Sequence, residues 1–328
     1  MPKSENQKLK LLYIKRYLEE YTDDNHPVTV KDIIAHLASL GVSAERKSIY
    51  DDLNLLMESD MLDIVKNRDG NITTYHVAGR EFELPELKML ADTVAASGYL
   101  TDKKVDMLLS KLSGLCSKYE AKELKRSLYV PSRSRSQNEN IFIILDEIAK
   151  AITQGKQLSF LYNKYDMEGR LQHIHDGKRY MVTPLLNILD DNYYLVAWDE
   201  DAGKIKHFRL DRMTSCRVEE TDATAIPETK LDLEQYSNRH FNMFDGEEYD
   251  VTMVFDNRLV NTVFDRFGRD HTPLPYGEGR FKWTQRVAVC GQFYGWVASF
   301  EGGAKIVAPT EVVEEYRDFL NANLNANK

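Results

Sequence analysis

The sequence predicts a multi-domain α+β chain: a helix-turn-helix with a hairpin, a helical linker, a small β-barrel and a C-terminal α/β sandwich. Three observations predict it. The apolar period is helical over the first 60 residues and again from 84 to 129. It changes to two from residue 157, where short strands follow one another closely. After residue 247 strands and helices interleave. A length of 328 residues leaves room for several domains, each with its own core.

Residues 1–80 read as three short helices and a hairpin. Leu9, Leu12, Ile14, Tyr17 and Leu18 form a helical stripe that stops near Tyr21, ahead of the turn formers Thr22-Asp23-Asp24-Asn25-His26-Pro27. Thr29 is placed to cap a second helix, Val30 to Leu40, with Ile33, Ile34 and Leu37 as its buried side and Gly41 as its stop. Ser43 is expected to cap a third helix running to Ser59. Two helices joined by a tight turn containing glycine are the helix-turn-helix pattern. A hairpin follows: Met61 to Lys66, the turn Asn67-Arg68-Asp69-Gly70-Asn71, and Ile72 to Val77. Asp-Gly is a good hairpin signal, and the two parts in this order make a winged helix-turn-helix.

Residues 81–138 read as a helical linker. Leu87, Leu90, Ala91 and Val94 repeat at helical spacing behind Pro85, then Val105, Leu108, Leu109 and Leu112, then Tyr119 to Leu128. Arg126 to Arg135 is basic, serine-rich and interrupted by Pro131, which marks a boundary. A helix from Glu139 to Gln154 ends at Gly155, and strands are expected near 157–163, 179–188, 193–199 and 204–210. Short antiparallel strands so closely spaced suggest a small barrel or rolled sheet. Residues 223–246 read as a connector. From 247 the pattern is strand Tyr249–Phe255, helix Arg258–Phe267, strand Phe281–Val289, helix Phe293–Phe300, strand Lys305–Val307 and a helix from Thr310, a split βαβ sandwich.

Composition narrows the function classes. Apolar residues make up 42% and charged residues 29%, an ordinary globular balance. A net charge of −9 argues against general affinity for nucleic acid, so any anion site must be local. Cys116, Cys216 and Cys290 lie far apart, without zinc-site spacing, and fit a reducing compartment. The chain opens on no signal peptide and holds no apolar run long enough for a bilayer, so a cytoplasmic protein with no membrane contact is expected. No glycine-rich phosphate loop, nucleophile elbow or supported acid/base pair occurs, so the expectation is a non-enzyme with no cofactor and no metal. His173-x-His175 has the spacing of a metal pair, but a solvated polar loop is the preferred reading.

Strand geometry sorts the segment Ile205-Lys206-His207-Phe208-Arg209-Leu210-Asp211-Arg212 into two faces, because side chains two apart share a side. Phe208 and Leu210 can fill a core, with Tyr193 and Leu195 of the preceding strand. His207 and Arg209 then stand side by side with Arg212 just beyond, a cationic group suited to an anion. The competing reading pairs Arg209 or Arg212 with Asp211, Asp199 or Glu200. On the third helix, 100° per residue buries Ile49, Leu53 and Leu56 and turns Lys47, Tyr50, Asp51 and Asn54 outward, with Ser43 and Ser48 to the sides and Arg46 at the flank. Lys47 and Arg46 suit phosphates, Asn54 and Tyr50 suit base edges or backbone, and Lys66 and Arg68 near the hairpin tip can reach an adjacent groove. An excess of acids over bases in residues 1–80 supports the rival reading, a protein-docking winged helix with a solvated polar face.

On these residues the chain resembles the WYL-domain transcriptional regulators. Tyr193-Tyr194-Leu195 stands in the Trp-Tyr-Leu place with its first letter substituted, and His207-Phe208-Arg209-Leu210-Asp211-Arg212 is similar to the family's arginine motif. Lys206 replaces an arginine that many members carry. Phe293, Gly295, Trp296 and Pro309 resemble the pattern of the family's C-terminal WCX extension. The resemblance implies an Sm-like β-barrel for the WYL domain at 139–222 and a ferredoxin-like α/β sandwich for the extension at 247–328. It further implies a bacterial regulator, commonly a homodimer, that binds double-stranded DNA and senses a nucleotide or single-stranded nucleic acid. The expected effector set is Arg179, Tyr194, His207, Arg209 and Arg212, with Ser159 and Tyr162 as weaker additions on opposite strand faces. The alternative role is a nucleic-acid-binding accessory protein of a phage-defence system that does not regulate genes directly.

Overall fold

The computed structural model describes residues 9–127, 135–226, 241, 243, 244, 246–269 and 271–328. They divide into two compact units, Met1–Ser136 and Gln137–Lys328. The expected connector lies mostly outside the described residues, as does the centre of the basic stretch Arg126 to Arg135.

In the first unit, helices α1 (Lys10–Tyr21), α2 (Val30–Ser39) and α3 (Arg46–Glu58) precede strands β2 (Ile64–Asp69) and β3 (Ile72–Val77). A short strand β1 (Val28–Thr29) joins the hairpin, giving the antiparallel order β1-β3-β2. Thr29 and Asp32 form a reciprocal capping box at the start of α2, and Gly41 at φ +74° turns the chain after it. Ile14, Leu18, Ile33, Leu37, Ile49, Leu53, Leu56 and Tyr75 fill one core. Ile34 is half-buried instead of central.

Two local expectations are corrected. Ser43 does not cap α3, because the helix begins at Arg46 and Glu45, with extended backbone, is the N-cap without a side-chain bond. The hairpin turn is also shorter than expected. Asn67 and Arg68 pair with Thr74 and Thr73 inside the ladder, leaving Gly70-Asn71 as the two-residue turn.

Helices α4 (Leu84–Ala96), α5 (Asp102–Ser113) and α6 (Lys118–Ser127) complete this unit. Arg135, at the end of the basic stretch, is committed to the α4–α5 connection. It donates to the carbonyls of Ala95 (2.8 Å) and Ser97 (3.1 Å) and pairs with Asp102 at 2.8 Å.

In the second unit, α7 (Ile141–Gln154) ends at Gly155, whose φ of +61° is the left-handed cap. Strands β4 (Lys156–Tyr165), β5 (Leu171–His173), β6 (Arg179–Leu189), β7 (Tyr193–Asp199) and β8 (Lys204–Arg209) follow, and β9 (Met213–Asp222) returns to pair with β4. The ladder therefore runs β9-β4-β6-β7-β8, all antiparallel, with β5 extending β4 at its far end. Leu158, Phe160, Val182, Leu195, Ala197 and Phe208 line the inner face, and α7 lies against β9, β4 and β6.

Beyond the connector come β10 (Glu247–Asp256), α8 (Val260–Phe267), β11 (Leu274–Pro275), β12 (Arg280–Val289), α9 (Gly291–Ala298), β13 (Ala304–Ala308) and α10 (Thr310–Ala326). The antiparallel sheet order is β11-β12-β10-β13. Its core holds Phe255, Phe281, Trp283, Phe293 and Val297, with Trp296 packed alongside. Among the described residues no helix is long and apolar enough to cross a membrane.

Candidate functional site

Helix α3 has two kinds of surface. Ile49, Leu53 and Leu56 are fully buried, while Arg46, Lys47, Asp51 and Asn54 are exposed and Tyr50 is half-buried. Arg46 reaches one turn on and donates from Nε (3.2 Å) and Nη2 (3.0 Å) to the Tyr50 hydroxyl. The two side chains thus stand as one unit, as i,i+4 neighbours do. Ser48 turns away from this face: it accepts a hydrogen bond from Lys10 Nζ, which also pairs with Asp52 at 2.6 Å. Ser43 lies exposed in the turn ahead of α3. On the hairpin, Lys66 and Arg68 are exposed; Arg68 Nε donates to the Gly70 carbonyl at 3.3 Å. A cleft of about 390 Å³ opens between the start of α2, α3 and the hairpin, lined by Lys31, Arg46, Tyr50, Asn71 and Thr73 among others. Lys31, Asn71 and Thr73 escaped the sequence reading because only the fold brings the hairpin tip to α3.

The β4–β9 ladder separates the seven expected effector residues into two groups with different hydrogen-bond partners. Ser159, fully buried, receives Arg179 through Nε (3.2 Å) and Nη2 (2.9 Å) and Arg217 Nε (3.3 Å), and its hydroxyl donates to Glu219. Arg179 also donates to the Ser215 carbonyl at 2.6 Å, and Arg217 pairs with Glu219 at 2.7 Å. Ser159 is thus already occupied by protein partners.

The second group forms where β8 runs into a tight turn at Leu210–Arg212. Tyr194 faces Arg209 across the β7–β8 ladder and His207 faces Val196, so Tyr194, His207 and Arg209 share one face. Tyr162, on the inner face with Phe160, spans the interior, and its hydroxyl accepts the Arg209 backbone N–H at 2.9 Å. Burial raises the Tyr162 and Tyr194 hydroxyls above their ordinary value, against the pull of Arg209 and Arg212.

Arg209 itself is engaged: Nε donates to Asp211 Oδ1 at 3.0 Å and Nη2 to Oδ2 at 2.7 Å. Of the acids weighed against the arginines, Asp211 is the one that pairs. Asp199 takes Lys206 at 2.5 Å, and Glu200 takes the hydroxyls of Thr183 and Thr224. Arg212 differs, since its Nε is buried with no hydrogen-bond partner among the described residues.

The turn is held from outside the motif. Asn138 Nδ2 donates to the Met213 carbonyl at 2.7 Å and the Asp211 carbonyl at 3.2 Å, and Asn163 Nδ2 to the Arg212 carbonyl at 2.9 Å. Asn138, Asn163, Arg217 and Glu219 carried no sequence signal beyond being polar in strand or cap positions. Lys206 points with Phe208 toward the inner face, 5.7 Å over the Tyr180 ring, and does not join His207 and Arg209. His173 and His175 are exposed, and among the described residues no group of His, Cys, Asp and Glu could hold a metal ion.

A strand-turn-strand unit bearing this motif, followed by a separate βαββαβ sandwich, defines a two-module C-terminal half. The chain contains both domains of that resemblance: the WYL domain model matches residues 143–218 and the WCX domain model matches residues 247–322. Among solved structures, the proteasome accessory factor B/C (PafBC) of Arthrobacter aurescens is 17% identical with a TM-score of 0.29. That alignment covers 97% of this chain and 48% of that one, so the chain spans about half the length of PafBC. A CRISPR Cas-related protein is 13% identical with a TM-score of 0.37, and the alignment covers 92% of each chain. No curated protein matches.

Proposed function

We propose that this chain is a ligand-responsive transcriptional regulator that binds operator DNA through a winged helix-turn-helix over residues 10–77. In this reading α3 enters the major groove, Arg46 and Lys47 hold phosphates, and Asn54 and the Arg46–Tyr50 unit meet base edges or backbone. The WYL domain is read as an Sm-like barrel that senses an anionic nucleotide or single strand, and the WCX domain as a ferredoxin-like sandwich. The observation that carries the reading is the exposed polar face of α3 beside the hairpin cleft, in a chain that also has a WYL domain.

For the effector, support comes from Arg212. A buried guanidinium nitrogen without an acceptor is costly, and Tyr194, whose hydroxyl feels the Arg212 charge, offers a ring for a base. Arg209 is the turn's brace and Arg212 the anion contact. The role is recognition and not catalysis.

The test is a fluorescence titration of the full chain with duplexes selected from a random pool, with nucleotides and short single strands as effectors. A Lys47→Ala, Tyr50→Ala double variant should lose duplex binding with its fold intact. Arg212→Ala should keep duplex binding and bind effector about 10- to 100-fold more weakly, since a charge-assisted hydrogen bond contributes about 1.5–3 kcal/mol. Effector and operator must change each other's affinity by the same factor. Unaltered duplex affinity in the double variant overturns the reading.

A further inference from the structure

Several described lysines of this acidic chain have carboxylate partners, among them Lys10 with Asp52, Lys15 with Glu19, Lys88 with Asp92, Lys150 with Asp146, Lys156 with Asp222, Lys178 with Asp201 and Lys206 with Asp199. Helix α6 gathers three lysines on one side. Lys118, Lys122 and Lys125 are all exposed, and none has a carboxylate partner among the described residues. At 100° per residue the three fall within an arc of about 60°, one above another. Leu124, buried, marks the opposite, inward side.

The glutamates of α6 do not neutralise the stripe. Glu120 accepts the Ser117 backbone N–H at 2.9 Å and lies 3.6 Å from Arg80, and Glu123 projects well round the helix from the lysines. The lysines border a cleft of about 390 Å³ whose other side includes Tyr21 and Glu20. Glu20 is already engaged by Arg16 Nε at 2.6 Å. Lys118 Nζ sits 3.8 Å from the centre of the Tyr21 ring, a cation–π contact that positions it at the cleft.

We propose that this stripe is a second nucleic-acid contact, separate from α3, that holds a phosphate backbone along α6. Seven residues of helix span about 10 Å. One DNA strand carries a phosphate every 3.4 Å or so of axis, so three ammonium groups face about three phosphates. Lysine is a flexible point charge that suits phosphates without reading bases. An acidic protein segment is the less fitting occupant, because the stripe lacks the large apolar anchor on which protein interfaces depend. The contact adds sequence-independent affinity to a chain whose net charge supplies little. It goes beyond the α3 reading and does not need it.

The test combines Lys118→Gln, Lys122→Gln and Lys125→Gln in the full chain, beside Lys47→Ala. Binding of a duplex several turns long and of an oligothymidine strand is followed by anisotropy over about 50–200 mM salt. The triple variant should lose about 2.7 from the log–log salt slope, at about 0.9 for each phosphate, and bind at least about 10-fold more weakly at the lowest salt. In the wild type, DNA should protect the three lysines from acetylation, read by mass spectrometry.

An unchanged slope with unprotected lysines overturns the stripe while a Lys47→Ala defect keeps the α3 reading. The converse pattern keeps the stripe and overturns α3. Protection by polyglutamate but not by DNA makes the stripe an acidic-protein surface and overturns the proposal, and a wild type that binds neither duplex nor single strand overturns both.

Discussion

Breaking the Arg209–Asp211 pair from each side tests how much of the WYL motif is architecture. The two side chains meet through two parallel bonds of 3.0 and 2.7 Å, with Asp211 3% exposed and Arg209 23% exposed. Removing one partner of a buried pair costs about 3–5 kcal/mol, because it leaves an uncompensated charge. Asp211→Ala leaves a guanidinium that still touches water and can turn outward, so a loss of about 2–3 kcal/mol is expected. Arg209→Ala leaves a carboxylate that cannot reach water, and about 3–4 kcal/mol is expected. The double variant should lose less than the sum, with a coupling of about 1–3 kcal/mol.

Trp198, Trp283 and Trp296 are the chain's three tryptophans, and all lie in Gln137–Lys328. Tryptophan fluorescence in urea therefore follows this unit alone. A coupling below about 0.5 kcal/mol would refute the view that the pair braces the turn. The same variants also separate brace from ligand: Asp211→Ala keeps the Arg209 cation for an anionic effector, whereas Arg209→Ala removes it.

Phe208 is 3% exposed, with ring centres 5.0 Å from Phe160 and 5.2 Å from Tyr180, so Phe208→Ala should cost about 3–5 kcal/mol in the same urea assay; an unshifted midpoint would contradict the packing. Burial pushes the Asp199 carboxyl up, but bonds from Lys206 and the N–H groups of Ala202 and Asp201 outweigh it and hold it below the ordinary range. A depressed folded value stabilises above the unfolded value of about 4 and stops doing so as pH falls through the folded one. Asp199→Asn should therefore flatten the loss of stability below about pH 4, and an identical acid limb would count against this. Homodimerisation predicts twice the 37.9 kDa chain mass by light scattering at micromolar concentration, and protection of two half-sites spaced by whole helical turns; a monomer mass with one protected half-site refutes it.

Much of the fold was legible where apolar period and punctuation agreed. Ile49, Leu53 and Leu56 on α3, Gly155 after α7 and the alternation of β7 and β8 each stand where local rules put them. The failures are also physical. Strand β9 went unread because its segment is polar and bulged: Ser215 takes φ +51° and the β4–β9 register slips beside it, which breaks a period of two. Ser48 was expected at the side of the outward face, but its partner Lys10 lies 38 residues away and no local pattern reports it. Ser43 satisfied a capping rule, but the helix starts later, behind the extended backbone of Glu45.

The candidate site was legible as a set of residues more than as an arrangement. Alternation put His207 and Arg209 on one face and Phe208 on the other, which the ladder shows. It left open whether Arg209 meets a ligand or Asp211, because that depends on where the chain goes after the strand. A strand continuing straight would keep residues 209 and 211 on one face about 7 Å apart. The tight turn at Leu210–Arg212, tied by Asn138 and Asn163 from two other elements, instead sets the carboxylate of Asp211 against the Arg209 guanidinium. The motif thereby divides its labour. Phe208 and Leu210 fill the core, Arg209 and Asp211 close the turn, and the guanidinium of Arg212 is left with a buried nitrogen that the turn's own hydrogen bonds do not satisfy. Rigidity around a group whose hydrogen-bonding capacity is unspent is what prearranged recognition requires. Arg212, more than Arg209, is therefore the residue whose substitution should change recognition without changing the fold.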